Sequence, residues 1–341
     1  MLTELLTCRP DPLWTLVKQC GVDDVVAILD GAEQEQRWLR AGDTTLPPFW
    51  AGEDSAWSES AIGVIQQRFA DHGLRIAAVE DTAPMDAIRL GTAGRDEQIG
   101  DIITQIHAMG RLGIPVLCYN WMAVTSWART NLDVRLRGGA LSTGFSARAA
   151  AAQPPLVEPG AITEDQLWAA LAYFLDAVVP VAEESGVRLA LHPDDPPLLQ
   201  VRGVPRIINS VDAYRRVLAL RPSWSNAVTL CQGNFALMTD DLPATINDLG
   251  ATDSIAFVHF RDIRGTADDF IETFHDEGQT DLAACMRAYA RIGFDGPLRP
   301  DHVPTLHGES NDRPGYASLG RLFALGYIRG LHESAYGRAT R

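Results

Sequence analysis

The sequence predicts an α/β fold: a single (β/α)8 barrel over residues 1–341, with an inserted lid loop around residues 131–162. Short β-branched runs alternate with polar turns and longer segments of helical spacing, a pattern typical of parallel strands joined by helices. A length of 341 residues accommodates eight such units with insertions. The sequence carries no internal repeat, interdomain linker or sign of a second domain.

Eight candidate strands can be placed in chain order. One, near Leu5–Cys8, is weakly marked and is included because the barrel needs eight. Glycines such as Gly73, Gly113 and Gly186 precede several strands and supply the left-handed residue that ends a helix. The seven clearly marked strands are Asp24–Leu29, Leu74–Val79, Ile114–Tyr119, Val187–Leu191, Ala227–Leu230, Ser254–Phe260 and Pro297–Pro300.

One helix is well defined by its start signal and its period. Thr163 is the predicted N-cap, Gln166 completes a capping box, and the helix runs to about Ser185. Apolar residues recur three and four positions apart, which predicts one buried face. The preceding segment Arg137–Gly160 is rich in Gly, Ala, Ser and Pro without a clear period. We interpret it as either a mobile lid over the barrel mouth or a disordered insertion.

The composition is that of a folded protein with an acidic balance. The chain is 46% hydrophobic and 21% charged, with a formal net charge of −15, which disfavours nucleic acid as a partner. Without a long apolar run or a signal-like start, the sequence predicts a cytoplasmic protein with no membrane association. The five cysteines are scattered and lack CxxC spacing, so we expect free thiols.

Polar and titratable side chains stand where the predicted strands end. Barrel enzymes place their chemistry at the carboxyl ends of the strands, so these residues predict a site. Two imidazoles, a thiolate and a carboxylate among them could bind one divalent transition ion, with zinc, iron(II) and manganese all compatible. The strand-end residues are Glu80, Cys118–Tyr119–Asn120, His192, Cys231, His259 and Asp301–His302.

Neighbouring residues suggest further roles, each with a structural alternative. Asp194 and Asp195, in the run His192–Pro197, could orient ligands or bind sugar hydroxyls, or could belong to a rigid polar loop. Arg261 could hold a substrate carboxylate or lie on the surface. His302 would lie beside the ion with a pKa suited to proton transfer.

Four runs in this order and spacing resemble the mannonate dehydratase family, and the likeness covers nearly the whole chain from about residue 20. The resemblance implies a xylose-isomerase-like barrel that converts D-mannonate to 2-keto-3-deoxy-D-gluconate with Mn²⁺, Fe²⁺ or a similar divalent ion. The runs are Val116–Met122 (VLCYNWM), His192–Pro197 (HPDDPP), Cys231–Phe235 (CQGNF) and Arg299–His302 (RPDH).

The resemblance also assigns site residues. It implies His302 and Tyr316 as the acid–base pair, since the tyrosine follows RPDH at the family's spacing within Pro314–Gly315–Tyr316. It does not say which is the base and which the acid. The metal ligands that it implies are His192, Cys231, His259 and Asp301.

Some positions depart from the family pattern. Val303 replaces the usual Gly after RPDH, Gln232 and Asn234 alter the loop after the cysteine, and the context of His275 differs. These departures leave the metal and acid–base set intact and predict a changed substrate pocket. Within that pocket we expect Glu80 and Asn120 to recognise hydroxyl groups; the alternative is that they are polar residues at the rim of the core. We expect His275 to reach the substrate; the alternative is that it is an exposed loop histidine.

Three rival interpretations remain open from the sequence. The nearest is a metal-dependent sugar isomerase or epimerase on the same barrel; the others are a metal-dependent endonuclease and a diverged, non-catalytic sugar-acid binder. The expected partner is a small-molecule sugar acid. The apolar segment Leu322–Leu331 also predicts a homo-oligomer, a dimer or larger.

Overall fold

Eight parallel strands form the central sheet of the computed structural model, which describes residues 1–29 and 55–337. They are hydrogen-bonded in chain order, and a parallel bridge between Leu2 and Leu298 joins the last strand to the first. The predicted (β/α)8 barrel is therefore confirmed. The strands are β1 Thr3–Thr7, β2 Asp24–Ile28, β3 Arg75–Val79, β4 Val116–Asn120, β5 Arg188–His192, β6 Asn226–Cys231, β7 Ile255–Phe260 and β8 Leu298–Pro300.

The eight predicted strands all exist, and their boundaries differ by a few residues. The weakly marked first strand begins at Thr3, two residues before the predicted start. The fourth begins at Val116 rather than Ile114, consistent with Pro115, which has no N–H to donate to a neighbouring strand.

Helices follow the barrel strands and cover the outside of the barrel. The predicted long helix is confirmed: the Thr163 hydroxyl accepts a hydrogen bond from the Gln166 N–H at 3.1 Å, and Gly186 ends the helix with φ of 66°. The helices are α1 Pro12–Gln19, α2 Glu59–Asp71, α3 Asp86–Leu90, α4 Arg95–Arg111, α5 Ala147–Ala151, α6 Glu164–Ser185, α7 Val211–Leu220, α8 Gln232–Phe235, α9 Leu242–Gly250, α10 Leu282–Arg291 and α11 Ser318–Tyr336.

The core has two layers because successive side chains on a strand face opposite ways. On β5, Leu189 and Leu191 pack outward with the helices, while Ala190 packs inside the barrel. The interior layer combines alanines with larger side chains such as Phe257, which fills the barrel below its mouth. The site residues therefore lie above a packed layer of side chains in the barrel interior.

The segment Arg137–Gly160, interpreted from the sequence as a mobile lid or a disordered insertion, contains secondary structure. A 3₁₀ turn at Arg137–Gly139, the strand Leu141–Ser146 and helix α5 lie within it. The strand joins a four-stranded antiparallel sheet, here called the inserted sheet. Its strands, in spatial order, are Ile263–Thr266, Asp269–Glu272, Leu141–Ser146 and Asn131–Arg135.

Long-range packing holds the inserted sheet together. Phe145 stacks on Phe270 with ring centroids 6.0 Å apart, and Ile263 completes their buried cluster. Gly144 occurs in the strand because a Cβ there would lie 3.1 Å from the carbonyl oxygen of Phe270. A bridge between Leu141 and Thr305 fastens the sheet to the segment that follows β8. The insertion therefore lies at the carboxyl end of the barrel.

Two shorter features complete the described chain. A two-stranded hairpin, Gln200–Val201 with Val204–Pro205, follows β5. Among the described residues, none of the helices combines the length and the apolar character needed to span a lipid bilayer.

The cap of α6 gives a test of the local structure. We expect Thr163→Ala to lower the free energy of unfolding by about 1 kcal/mol, because the N–H of Gln166 loses its acceptor. Urea denaturation measures the change. Thr104→Ala is the matched control, since Thr104 is exposed within α4 and bonds only back to Gly100 in its own helix. Equal stability of the two variants would contradict the capping role.

Candidate active site

A cavity opens at the carboxyl ends of the barrel strands, the end at which (β/α)8 enzymes carry their chemistry. Its lining includes side chains from six barrel strands or the residues directly after them. The polar and aromatic lining residues include Glu80, Asn120, Trp127, His192, Asp195, His259, Asp301, His302 and Tyr316.

Three of the four predicted ligand residues, His192, His259 and Asp301, line this cavity, and Cys231 adjoins them. Strand pairing places Cys231 directly opposite His259, and one ligand atom each from His192, Cys231 and His259 lie within 4.8 Å of one another. Asp301 Oδ2 is 3.7 Å from Cys231 Sγ and 3.7 Å from His259 Nδ1. The set could therefore hold one ion with two nitrogen donors, one sulfur and one oxygen.

The state of the two histidines fits a bound cation. His259 is 1% exposed, yet neither of its ring nitrogens makes a hydrogen bond with good geometry, although Glu80 Oε2 lies 3.3 Å from Nε2. Unsatisfied buried nitrogens are rare in native proteins. His192 Nδ1 lies 2.7 Å from the carbonyl oxygen of Pro193 and therefore carries the proton, so Nε2 keeps its lone pair. Burial lowers the pKa of His192, which favours the neutral form that metals require.

Two other groups of metal-type side chains occur among the described residues, and both already hold other partners. In the group Glu80, Cys118 and His259, Arg299 donates to both Glu80 oxygens at 2.8 and 2.9 Å. Burial also raises the pKa of Cys118 well above its ordinary value, so that its thiol stays protonated.

The second of these groups is Asp195, Glu272 and His302. Arg129 donates to Asp195 at 2.6 and 3.0 Å and to Glu272 at 2.5 Å, so a guanidinium already supplies the positive charge. Asp301 also accepts from Arg261 and Arg299 at 2.8 and 3.0 Å, so the group best suited to an ion is defined by His192, Cys231 and His259, with the Asp301 carboxylate beside them.

Arg261 lies at the centre of a buried charge network. Its guanidinium donates to Asp301 Oδ2 at 2.8 Å, to Asp195 Oδ2 at 2.9 Å and to Glu272 Oε1 at 3.1 Å. Burial would raise the pKa of Glu272, but the charges of Arg129 and Arg261 and the hydrogen bond from His302 outweigh it and hold the pKa well below its ordinary value. Arg261 is saturated by carboxylates and does not line the cavity. The geometry therefore does not support its predicted contact with a substrate carboxylate.

Two other predicted substrate contacts also lie away from the cavity lining. Asp194 Oδ2 accepts from the Ile208 N–H at 2.7 Å, and its Oδ1 is 3.6 Å from Arg206. His275 Nε2 donates to the carbonyl oxygen of Phe260 at 2.7 Å. Both side chains are buried and support the surrounding loops.

Glu80 and Asn120 do line the cavity, as does Asp195, the second carboxylate of the run His192–Pro197. Asn120 Oδ1 accepts from the Met122 N–H at 3.0 Å, which fixes the amide at the end of β4. Asp195 enters the site, while Asp194 faces Ile208 and Arg206.

The predicted acid–base residues lie together. The rings of His302 and Tyr316 are 5.3 Å apart, and Trp127 lies 4.7 Å from His302 on another side. Burial, reinforced by the negative charge of Asp301, raises the pKa of Tyr316 well above its usual range, so its hydroxyl stays protonated.

Sequence reasoning missed Trp127, Arg129 and Glu272. The last two contact His302 from outside the barrel strands. The nearest signal was an aromatic and a basic residue, Trp127 and Arg129, in the polar stretch after β4.

Comparison with known proteins identifies the family. The family model described as D-mannonate dehydratase (UxuA) matches residues 14–159 and 156–340. "Mannonate dehydratase 2" of Halalkalibacterium halodurans is 33% identical over 304 residues, covering 82% of this chain and 88% of the relative. This chain belongs to the D-mannonate dehydratase family. The family predicted from the sequence is confirmed.

Solved structures agree with this membership. The mannonate dehydratase of Streptococcus suis serotype 2 superimposes with a TM-score of 0.85 at 31% identity, covering 98% of this chain and 93% of that one. A xylose isomerase domain protein of Planctomyces limnophilus matches with a TM-score of 0.57 at 11% identity, covering 99% and 98% of the two chains. The second likeness shows the fold alone, and it confirms the xylose-isomerase-like barrel.

The buried network predicts a large stability effect at Arg261. Arg261→Met should lower the free energy of unfolding by about 3–5 kcal/mol, because three buried carboxylates lose a shared partner. Urea denaturation curves of the purified variants measure this change in the free energy of unfolding. Arg264→Met is the control, because Arg264 is exposed in the same segment, and it should change stability by about 0.5 kcal/mol or less. A small effect at Arg261 would mean that the network contributes little to the fold.

Proposed function

We propose that this chain is a hydro-lyase that removes water from D-mannonate, or a closely related aldonate, to give 2-keto-3-deoxy-D-gluconate. One observation carries the proposal: His192, His259 and Asp301 line one cavity with His302 and Tyr316, and the Cys231 sulfur adjoins these three metal-type side chains. The relatives from Halalkalibacterium halodurans and Streptococcus suis are named mannonate dehydratases, which supports the same reaction.

The proposed cofactor is one divalent cation, Mn²⁺ or Fe²⁺, with His192, Cys231, His259 and Asp301 as its ligands. When bound, such an ion would stabilise negative charge on the substrate as a proton leaves the carbon next to the carboxylate. The formal net charge of −15 would repel an anionic sugar acid, and the nearby arginines Arg129, Arg261 and Arg299 are engaged with carboxylates. A local cation therefore also accounts for how the substrate could be held.

We assign the two proton transfers from the states of the side chains. His302 Nδ1 is 2.5 Å from Glu272 Oε1, a carboxylate that only accepts, so Nδ1 carries the proton and Nε2 is the basic atom. His302 Nε2 takes the proton from C2, and the Tyr316 hydroxyl, kept protonated by its raised pKa, protonates the departing C3 hydroxyl. The C3–O bond breaks and a C2–C3 enol remains, which loses the proton of its C2 hydroxyl and takes up a proton at C3 to become the 2-keto acid.

Substrate recognition falls to the other lining residues. Asn120 and Asp195 are proposed to bind sugar hydroxyls. Glu80 would also accept from a sugar hydroxyl while it keeps its ion pair with Arg299. Trp127 offers an apolar face beside His302. In this proposal Arg261, Asp194 and His275 act by supporting these residues and do not contact the substrate.

Three other predictions from the sequence stay predictions. They are the cytoplasmic location, the absence of a nucleic-acid partner and the homo-oligomer. Leu319 on α11 is 43% exposed, which is compatible with self-association through that helix.

A product assay tests the reaction. With D-mannonate and Mn²⁺ we expect a 2-keto-3-deoxy acid to form, and His302→Ala and Tyr316→Phe should each lose about 10²–10⁴ in turnover, the usual worth of an acid–base group. His307→Ala and Tyr173→Phe are matched controls on exposed residues and should stay active. A sugar isomer or epimer as the product would refute the dehydratase assignment. Full activity of both site variants would refute the acid–base pair.

Metal analysis separates the candidate ligand groups. Elemental analysis of protein loaded with Mn²⁺ should find about one ion per chain, with large losses in Cys231→Ser and His192→Ala, because each removes one of four donors. Cys118→Ser should keep its metal, since Cys118 belongs to the group already bonded to Arg299 and Thr229. The reverse order, with Cys118→Ser losing the ion, would place the metal in the other group.

A further inference from the structure

Glu272 contacts the proposed base His302 although it lies outside the barrel. It ends the strand Asp269–Glu272 of the inserted sheet and is 1% exposed. Its Oε1 lies 2.5 Å from His302 Nδ1, so the insertion delivers a buried carboxylate to the catalytic histidine.

All the polar partners that surround the Glu272 carboxylate can donate. Arg129 Nη2 and Arg261 Nη1 donate to Oε1 at 2.5 and 3.1 Å. Thr143 Oγ1, from the neighbouring strand, donates to Oε2 at 2.5 Å. Two guanidiniums keep the carboxylate ionised, and an ionised carboxylate can only accept. The proton between Glu272 and His302 therefore belongs to the imidazole Nδ1.

We propose that Glu272 is a positioning residue that fixes His302 in the tautomer with Nδ1 protonated and Nε2 basic. This inference rests on the proposed function, in which His302 Nε2 removes the C2 proton. His302 Nε2 is 3.8 Å from Asp301 Oδ1, which is beyond hydrogen-bond distance. The contact at Nδ1 therefore determines which ring nitrogen carries the proton. Trp127, at 4.7 Å between ring centroids, restricts its rotation.

Arg129 makes the role of Glu272 testable. Its Nη2 lies 3.3 Å from His302 Nδ1, the next polar atom after the glutamate oxygen. A guanidinium donates and never accepts, so without Glu272 it would hold Nδ1 as an acceptor. The proton would then move to Nε2 and His302 would lose its basic atom toward the substrate. Glu272→Ala is therefore expected to invert the tautomer.

Nitrogen NMR reads the tautomer directly and does not depend on turnover. The full chain, labelled with ¹⁵N-histidine and loaded with diamagnetic Zn²⁺, gives ring signals for its eight histidines. The signal of His302 is assigned by its loss in His302→Gln. We expect Nδ1–H in the wild type and in Glu272→Gln, whose amide oxygen can still accept, and Nε2–H in Glu272→Ala.

Kinetics with D-mannonate and Mn²⁺ form the second arm. Per metal-loaded chain, kcat should fall about tenfold in Glu272→Gln and about 10²–10³-fold in Glu272→Ala, with KM changing much less, because substrate binding is kept and proton transfer is not. Phe145→Leu is the structural control: it loosens the inserted sheet beside Phe270 without touching His302. It should lower the thermal unfolding midpoint and keep kcat.

The outcomes separate this inference from the proposed function. Wild-type His302 protonated at Nε2, or Glu272→Ala with unchanged kcat, would overturn the positioning role. Equal losses of kcat in Phe145→Leu and Glu272→Ala would also overturn it, because general loosening would then explain both. A wild type that does not turn over D-mannonate but shows the tautomer inversion would refute the proposed function and leave the Glu272–His302 coupling standing.

Discussion

The chemistry of this chain depends on the parallel direction of its eight barrel strands. Because they run one way and the bridge between Leu2 and Leu298 joins the first to the last, residues far apart in sequence end at one rim. The register then sets the geometry: Cys231 pairs with His259, so a thiol and an imidazole meet at the point where both strands finish. A sheet of mixed direction would divide these side chains between two ends.

The second constraint is the cost of buried charge. Asp195, Glu272 and Asp301 are each 5% exposed or less, and such carboxylates are tolerated only with partners. Arg261 reaches all three, and Arg129 reaches the first two from the segment that leads into the inserted sheet. The insertion is therefore part of the electrostatic support of the site. Without the inserted sheet, His302 would lose Glu272 as its partner.

Much of the barrel could be predicted from the sequence because its signals are local: apolar runs, glycines that end helices and polar residues at strand ends. The inserted sheet could not, because Leu141–Ser146 has weak strand character and its partner Asp269–Glu272 is distant, with Thr143 and Glu272 129 residues apart. The direction in which each side chain points could not be predicted from the sequence either. Asp194 and Asp195 are the same residue type in adjacent positions, yet Asp194 faces Arg206 and Asp195 lines the cavity. The role of Arg261 depends on three carboxylates from other elements.

The central claim is that one cation is held by ligands from four strand ends. The most direct measurement is an anomalous difference map from crystals grown with Mn²⁺, with data collected at the manganese absorption edge. The account predicts one strong peak per chain, about 2.0–2.3 Å from donor atoms of His192, His259, Asp301 and the Cys231 sulfur. A peak among Asp195, Glu272 and His302, or no peak in crystals of metal-dependent, active protein, would contradict it.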